Sequence, residues 1–396
     1  MKKLFILIIL AFFSATLIPQ VKNKAVYADP QTGYFDVIRE NIAEFNQKPV
    51  EKKKRFKMDY EGIDIPKSKN DFKNFWHNDP VNQGMTGTCW SFSTTSMLES
   101  EIFRIHGKKI KLSEIHTAYW EYIEKTKGFI RSRGTTHFGE GSQANAVIRA
   151  WKNYGIVPLE AYSGLLPGQK SHDHSIMFDE MTSYLQSVKE RNAWNETEAV
   201  ATIKAIMNTY IQAPPETFTY NGKTYTPKDF LAKEVNLNLD DYVALVSFTH
   251  EPYGTMVEYR VPDNWWHSKE YNNVALDEYM AKLKKAVRNG YTAVLFGDVS
   301  EPGMDSYVKA AMVPSFDIPA DYINEDSRQF RFENKTSGDD HGIHCIGYLT
   351  KDGKDWFLIK DSGAGSFNTG DKGYYFYHED YVKLKMLGYF IHKSAL

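Results

Sequence analysis

Cysteine is nearly absent from this chain: its 396 residues include two, Cys89 and Cys345. A disulfide framework of the kind that holds small exported domains together is therefore excluded, and stability has to come from a packed core. Charge of one sign is lacking as well, with 48 Lys and Arg against 50 Asp and Glu. No bulk field draws such a chain to nucleic acid or to acidic lipid. After the N-terminus there is no apolar run long enough to cross a bilayer.

What is present begins with a short apolar leader. Lys2 and Lys3 precede an unbroken run from Leu4 to Phe13, Ser14, Thr16 and Pro19 interrupt it, and Ala28 sets a small residue before Asp29. That layout predicts a signal peptide over residues 1–28 and export to the periplasm or beyond. Residues 29–74 read as an N-terminal lead-in, with a helical pattern at Phe35, Ile38, Ile42 and Phe45. The basic run Lys52–Arg55 after it reads as a solvated face or linker.

The most informative stretch is Gln83-Gly84-Met85-Thr86-Gly87-Thr88-Cys89-Trp90-Ser91-Phe92-Ser93. It is a Gly-punctuated loop that delivers a cysteine to the start of a helix-patterned run, Trp90 to Ile105. First-turn N–H groups lack intrahelical partners and the helix dipole is positive there, so a thiolate is favoured at that point. Gln83 offers a side-chain amide for the oxyanion formed when such a thiolate attacks a carbonyl.

Thr86-Gly87-Thr88-Cys89-Trp90 resembles the signature around the nucleophile of papain-like cysteine peptidases, with Thr in place of its first Cys and of its Ser or Ala. The wider run from Asn82 to Ser93 is similar position by position. The resemblance makes Cys89 the nucleophile and Gln83 the oxyanion donor. Gly139-Glu140-Gly141-Ser142 then opens an amphipathic helix with Ala146, Val147, Ala150, Trp151 and Tyr154 on one face, ended by Gly155. In the family the corresponding glycines let a substrate backbone approach. This implies substrate contact at Gly139, Gly141 and Ser142, with Glu140 replacing the usual Gly and adding charge to the cleft.

Between about 165 and 289 the chain departs from a minimal papain layout. Helix patterns run over Ile176–Arg191 and over Glu196–Ile211 behind the capping residue Asn195. Alternation around Asn221-Gly222 predicts a hairpin, and Pro227 after Thr226 a helix start. Ala275–Arg288 is amphipathic and leads into a buried strand at Thr292–Phe296. Pro214-Pro215-Glu216-Thr217-Phe218-Thr219, Pro252-Tyr253-Gly254 and the strand ending Gly297-Asp298-Val299 resemble the bleomycin hydrolase and aminopeptidase C branch.

A thiol nucleophile needs a base, and the base an orienting partner. Among 12 histidines the family pattern, a His six residues before a Gly-Tyr, picks His341 ahead of Gly347-Tyr348. His344, three positions on, points to the opposite face of a strand and reads as core filler, although a bulge would make it a rival. Asp361-Ser362-Gly363 stands where the family has Asn-Ser-Trp-Gly. Asp361 is thus the orienting partner, with a carboxylate that favours imidazolium and with no Trp to keep water from the contact. His172-Asp173-His174 lacks further metal ligands and reads as solvated loop, and Trp265-Trp266-His267 reads as a packing anchor.

The expectation is an α+β, papain-like two-lobed fold over residues 75–396, a helical lobe and a β-sheet lobe, with a largely helical insertion. The function it implies is thiol-dependent hydrolysis of peptides or proteins, with no metal or organic cofactor and with association into homo-oligomers, since relatives are often hexameric. In the family branch a C-terminal arm blocks one end of the cleft. Here Ser394-Ala395-Leu396 follows closely on a strand pattern, which predicts a less strict aminopeptidase. The competing expectation is an inactive binding or scaffold protein on the same fold.

Overall fold

The computed structural model describes residues 23–29, 31–46 and 54–396. Most of the expected signal peptide, 1–22, lies outside the described residues, as do 52 and 53 of the basic run. Ala25–Ala28 forms a strand antiparallel to Arg55–Met58, so Arg55 pairs with Ala28 rather than closing a linker. The helix Tyr34–Asn46 packs against the turn Ala364–Phe367, with Tyr34 N–H donating to Asn368 Oδ1.

Five helices build one lobe: Cys89–His106, Glu114–Arg131, Ala144–Tyr154, Ser175–Glu190 and Glu196–Ile211. The Cys89 helix runs through the middle, and every residue from Trp90 to Ile102 is buried. Its apolar side (Met97, Leu98, Ile102) joins Tyr122, Trp151, Met181, Ile203 and Met207 in one continuous core. Its buried charges are answered, as burial demands: Glu99 accepts from Lys111 Nζ (3.0 Å), Leu112 N–H (2.8 Å) and Asn78 Nδ2 (2.9 Å).

The second lobe is a mixed, mainly antiparallel sheet. Its central strand, His341–Lys351, lies between Lys354–Lys360 and Ala293–Gly297, and the latter is flanked in turn by Met386–His392. The two lobes meet where Gly342 faces the start of the Cys89 helix. A Cβ on Gly342 would lie 3.0 Å from Ser93 Oγ and 3.4 Å from Trp90 Cα, so a side chain here would crowd the start of the helix.

The insertion is helical at both ends, with Ser175–Glu190 and Glu196–Ile211 first and Leu276–Arg288 last, and carries strands between them. The hairpin Phe218–Tyr220/Lys223–Tyr225 turns at Asn221 and Gly222, both at positive φ, and Thr226 Oγ1 caps the helix begun by Pro227. Tyr242–Val246 then adds to the main sheet beside Met386–His392, followed by Tyr271–Asn273 and Thr255–Val257. Tyr242–Val246 shows no alternation in the sequence because it is buried almost throughout and carries no polar face. No helix among the described residues is long and apolar enough to cross a membrane.

Candidate active site

Cys89 is the first residue of its helix, and Thr88 before it provides no side-chain cap. Thr88 O accepts from Ser91 N–H (2.9 Å) and Phe92 N–H (3.1 Å), so the N–H groups of Cys89 and Trp90 are the ones left for a bound group. His341 begins its strand directly opposite. Its Nε2 lies 2.8 Å from Asp361 Oδ1, which leaves Nδ1 as the nitrogen that pairs with the Cys89 thiol. Burial alone would push the imidazolium down, but the Asp361 and Cys89 charges carry His341 well above its ordinary value. Burial likewise works against the Asp361 carboxylate. His341, the Gly363 N–H at 2.8 Å and the nearby Lys309 outweigh it and hold the carboxyl below its usual range.

The expected wetness of the His341–Asp361 contact is corrected by the structure. The side chains are 13% and 5% exposed. The turn Ala364–Phe367 covers the contact, with Ser366 Oγ donating to Asp361 O (3.1 Å) and Lys309 Nζ to Ser366 O. No motif in the sequence marks Lys309, which is buried in a short loop with φ +67°.

Gln83 is fixed from both ends of its amide. Ser362 Oγ donates to its Oε1 (2.6 Å) and its Nε2 donates to Thr86 O (2.6 Å), leaving one N–H for an oxyanion. Gly139 and Gly141 present their carbonyls to Lys125 Nζ, and Ser142 Oγ donates to Glu121 Oε1 (2.7 Å). Glu140 reaches the Cys89 loop: its Oε2 accepts from Gly87 N–H (2.7 Å) and its backbone O from Trp90 Nε1 (3.1 Å). The charge expected in the cleft from Glu140 is therefore spent on bracing the Cys89 loop.

His344 lies in the core on the other face of the strand, its Nδ1 2.8 Å from Ser96 Oγ. The strand's bulge falls between Cys345 and Gly347, beyond both histidines, so it leaves their faces unchanged. Cys345 is fully buried, and burial pushes its thiol up to about 12. The reading of His172-Asp173-His174 as solvated is also corrected. Both histidines are buried beneath the Cys89 loop, with Met85 N–H donating to His172 O (2.8 Å) and His174 N–H to Met85 O (3.2 Å). A strand-like pairing along the backbone, invisible in composition, pulls them in.

A model described as the peptidase C1-like family matches residues 47–396. The chain belongs to the peptidase C1-like family. Among curated relatives, aminopeptidase C of Streptococcus thermophilus is 22% identical over 74% of this chain and 76% of its own length. Aminopeptidase G of Lactobacillus delbrueckii subsp. lactis is 23% identical over 80% and 81%. Aminopeptidase C of the same Lactobacillus is 22% identical over 56% of this chain, a match spanning 59% of that relative. The solved structure of pepw from Lactobacillus rhamnosis superposes with a TM-score of 0.64 at 18% identity, covering 82% of each chain. The fold of this peptidase C1-like chain is thus papain-like, and its relatives lie in the aminopeptidase C branch.

Proposed function

We propose that this chain is an exported peptidase that hydrolyses peptide bonds through Cys89, His341 and Asp361. The observation that carries the reading is the continuous line Cys89–His341–Asp361 across the contact between the two lobes. The Cys89 thiolate attacks the scissile carbonyl carbon, and the oxyanion takes the free N–H of Gln83 Nε2 and the Cys89 N–H. His341 Nδ1–H protonates the departing amine, leaving a thioester on Cys89. Water then attacks the thioester, giving its proton to His341, and the carboxylic acid leaves as the Cys89 thiolate re-forms beside the protonated His341. Asp361 holds the ring through Nε2 and supports its charge throughout. Export is supported by the leader of Lys2, Lys3 and the apolar run after them.

Where the cleft ends bears on the substrate. Gly297 pairs with both His341 and Met386, so Met386 is level with the base. His392 lies six positions further along the strand, roughly 20 Å away. There Leu396 O accepts from Lys285 Nζ (2.9 Å), so residues 393–396 are held at the end of the sheet remote from Cys89.

Iodoacetamide should abolish hydrolysis of peptide amides in step with labelling at Cys89, while Cys345 in the folded chain stays unmodified. Labelled Cys89 with full activity would defeat the reading.

A further inference from the structure

Asp263 carries a carboxylate to which no other described residue donates a hydrogen bond, although the charges of Lys125 and His137 reach it. It sits on the connection between Thr255–Val257 and Tyr271–Asn273, directly over Gly141: a Cβ built on Gly141 would lie 2.0 Å from its Oδ2 and 2.6 Å from its Oδ1. It makes no hydrogen bond or ion pair with another described residue. The Lys125 ammonium, whose charge reaches Asp263, also donates to the carbonyls of Gly139 and Gly141.

The placement is rigid. Asn264 Nδ2 ties Tyr259 O (2.9 Å) to Ser268 O (3.0 Å), and Trp265 Nε1 donates to buried Glu121 Oε1 (2.7 Å). The Arg149 guanidinium stacks on Trp266 with 4.1 Å to the ring centroid. A carboxylate fixed in advance loses little freedom when it binds a cation.

Asp263 shares its pocket with Cys89, His341, Asp339 and Thr94. Asp339 accepts one hydrogen bond from Gln143 Nε2 (2.6 Å), and Thr94 Oγ1 is fully buried with no partner. Asp340 also borders this space but is engaged by Val299 N–H (2.9 Å) and Ser300 Oγ, so Asp263, Asp339 and an unpaired hydroxyl are the acceptors beside the nucleophile. An ammonium group brings three N–H donors and a positive charge, which matches that set of acceptors.

We propose that Asp263, with Asp339 and Thr94, forms a subsite for a substrate ammonium group, fitted first to the α-ammonium of a peptide's N-terminal residue. A lysyl side chain carries the same chemistry and is the other source. The inference rests on Cys89 as the reacting centre. Burial raises both carboxyls above their ordinary values, Asp339 to about 8, and a bound cation is what would relieve that cost.

The test separates binding from turnover. In the Cys89→Ala chain, calorimetry compares alanyl-alanine amide, its N-acetyl form and N-acetyl-lysyl-alanine amide, each with and without Asp263→Asn. An ammonium-bearing ligand should bind on the order of tenfold more tightly than the acetylated dialanine, and Asp263→Asn should erase that margin. Loss of the margin for the free-amine dipeptide assigns the α-ammonium, and loss for the lysyl peptide assigns the side chain. A margin that survives Asp263→Asn, or no margin in the parent chain, overturns the subsite. Asp339→Asn gives a second reading of the same margin, and unchanged thermal unfolding shows that each variant is folded. A wild-type chain that binds these ligands with the margin but cleaves none of them would sink the proposed hydrolysis instead.

Discussion

His341→Ala should lower kcat/KM on peptide amides by about 10³–10⁴, because one change removes both the partner of the thiolate and the donor to the leaving amine. Asp361→Asn should cost less and report differently. The Asp361 charge is one of the two that hold His341 above its ordinary value, and burial opposes it. An amide in its place leaves only Cys89 to oppose burial, so the imidazolium gives up its proton at lower pH. The alkaline limb of the pH–rate profile should then move toward acid, measured on wild type and Asp361→Asn side by side. A limb that stays in place would mean that the 2.8 Å contact from His341 Nε2 to Asp361 Oδ1 does not set the charge of the base.

The second large effect falls on stability. Glu121 is fully buried in the helix Glu114–Arg131. It accepts from Ser142 Oγ (2.7 Å), Trp265 Nε1 (2.7 Å) and Arg149 Nη2 (2.6 Å). One carboxylate thus joins the Gly139–Ser142 segment, the loop that carries Asp263 and the helix Ala144–Tyr154. Glu121→Ala strands two buried donors and the Arg149 charge, and should cost about 3–5 kcal/mol of unfolding free energy. Denaturant unfolding checks this, and a loss below about 1 kcal/mol, the scale of an exposed pair, would show that the junction is not held from Glu121.

The nucleophile's surroundings were legible because they are local. Loop, cysteine, oxyanion donor and helix start lie within Gln83–Ser93, where type and spacing translate directly into chemistry. His341 and Asp361 are far off in sequence and were reached through family pattern, but each sits at the end of a strand whose apolar run is plain. Legibility failed where charge turns inward. Glu121 and Lys125 lie on a helix whose charged residues resemble a solvated face, and only the Trp265 loop and the Gly139–Gly141 carbonyls packed over them explain their burial. Asp263 looks like an ordinary turn residue until the fold lays it on Gly141. The dryness of Asp361 was missed for a related reason. Cover comes from the turn Ala364–Phe367 and from Lys309, neither of which stands in the place of the absent Trp. In the insertion, Tyr242–Val246, with no exposed face, lacked the alternation that gives a strand away.

The account depends above all on a covalent intermediate at one sulfur. Acid quenching during turnover of a peptide ester or amide, followed by mass spectrometry of the peptides bearing Cys89 and Cys345, tests this directly. The acyl mass should appear on the Cys89 peptide, be absent from the Cys345 peptide, and vanish with turnover in Cys89→Ala. Hydrolysis that persists in Cys89→Ala, or an acyl group carried by Cys345, would contradict it.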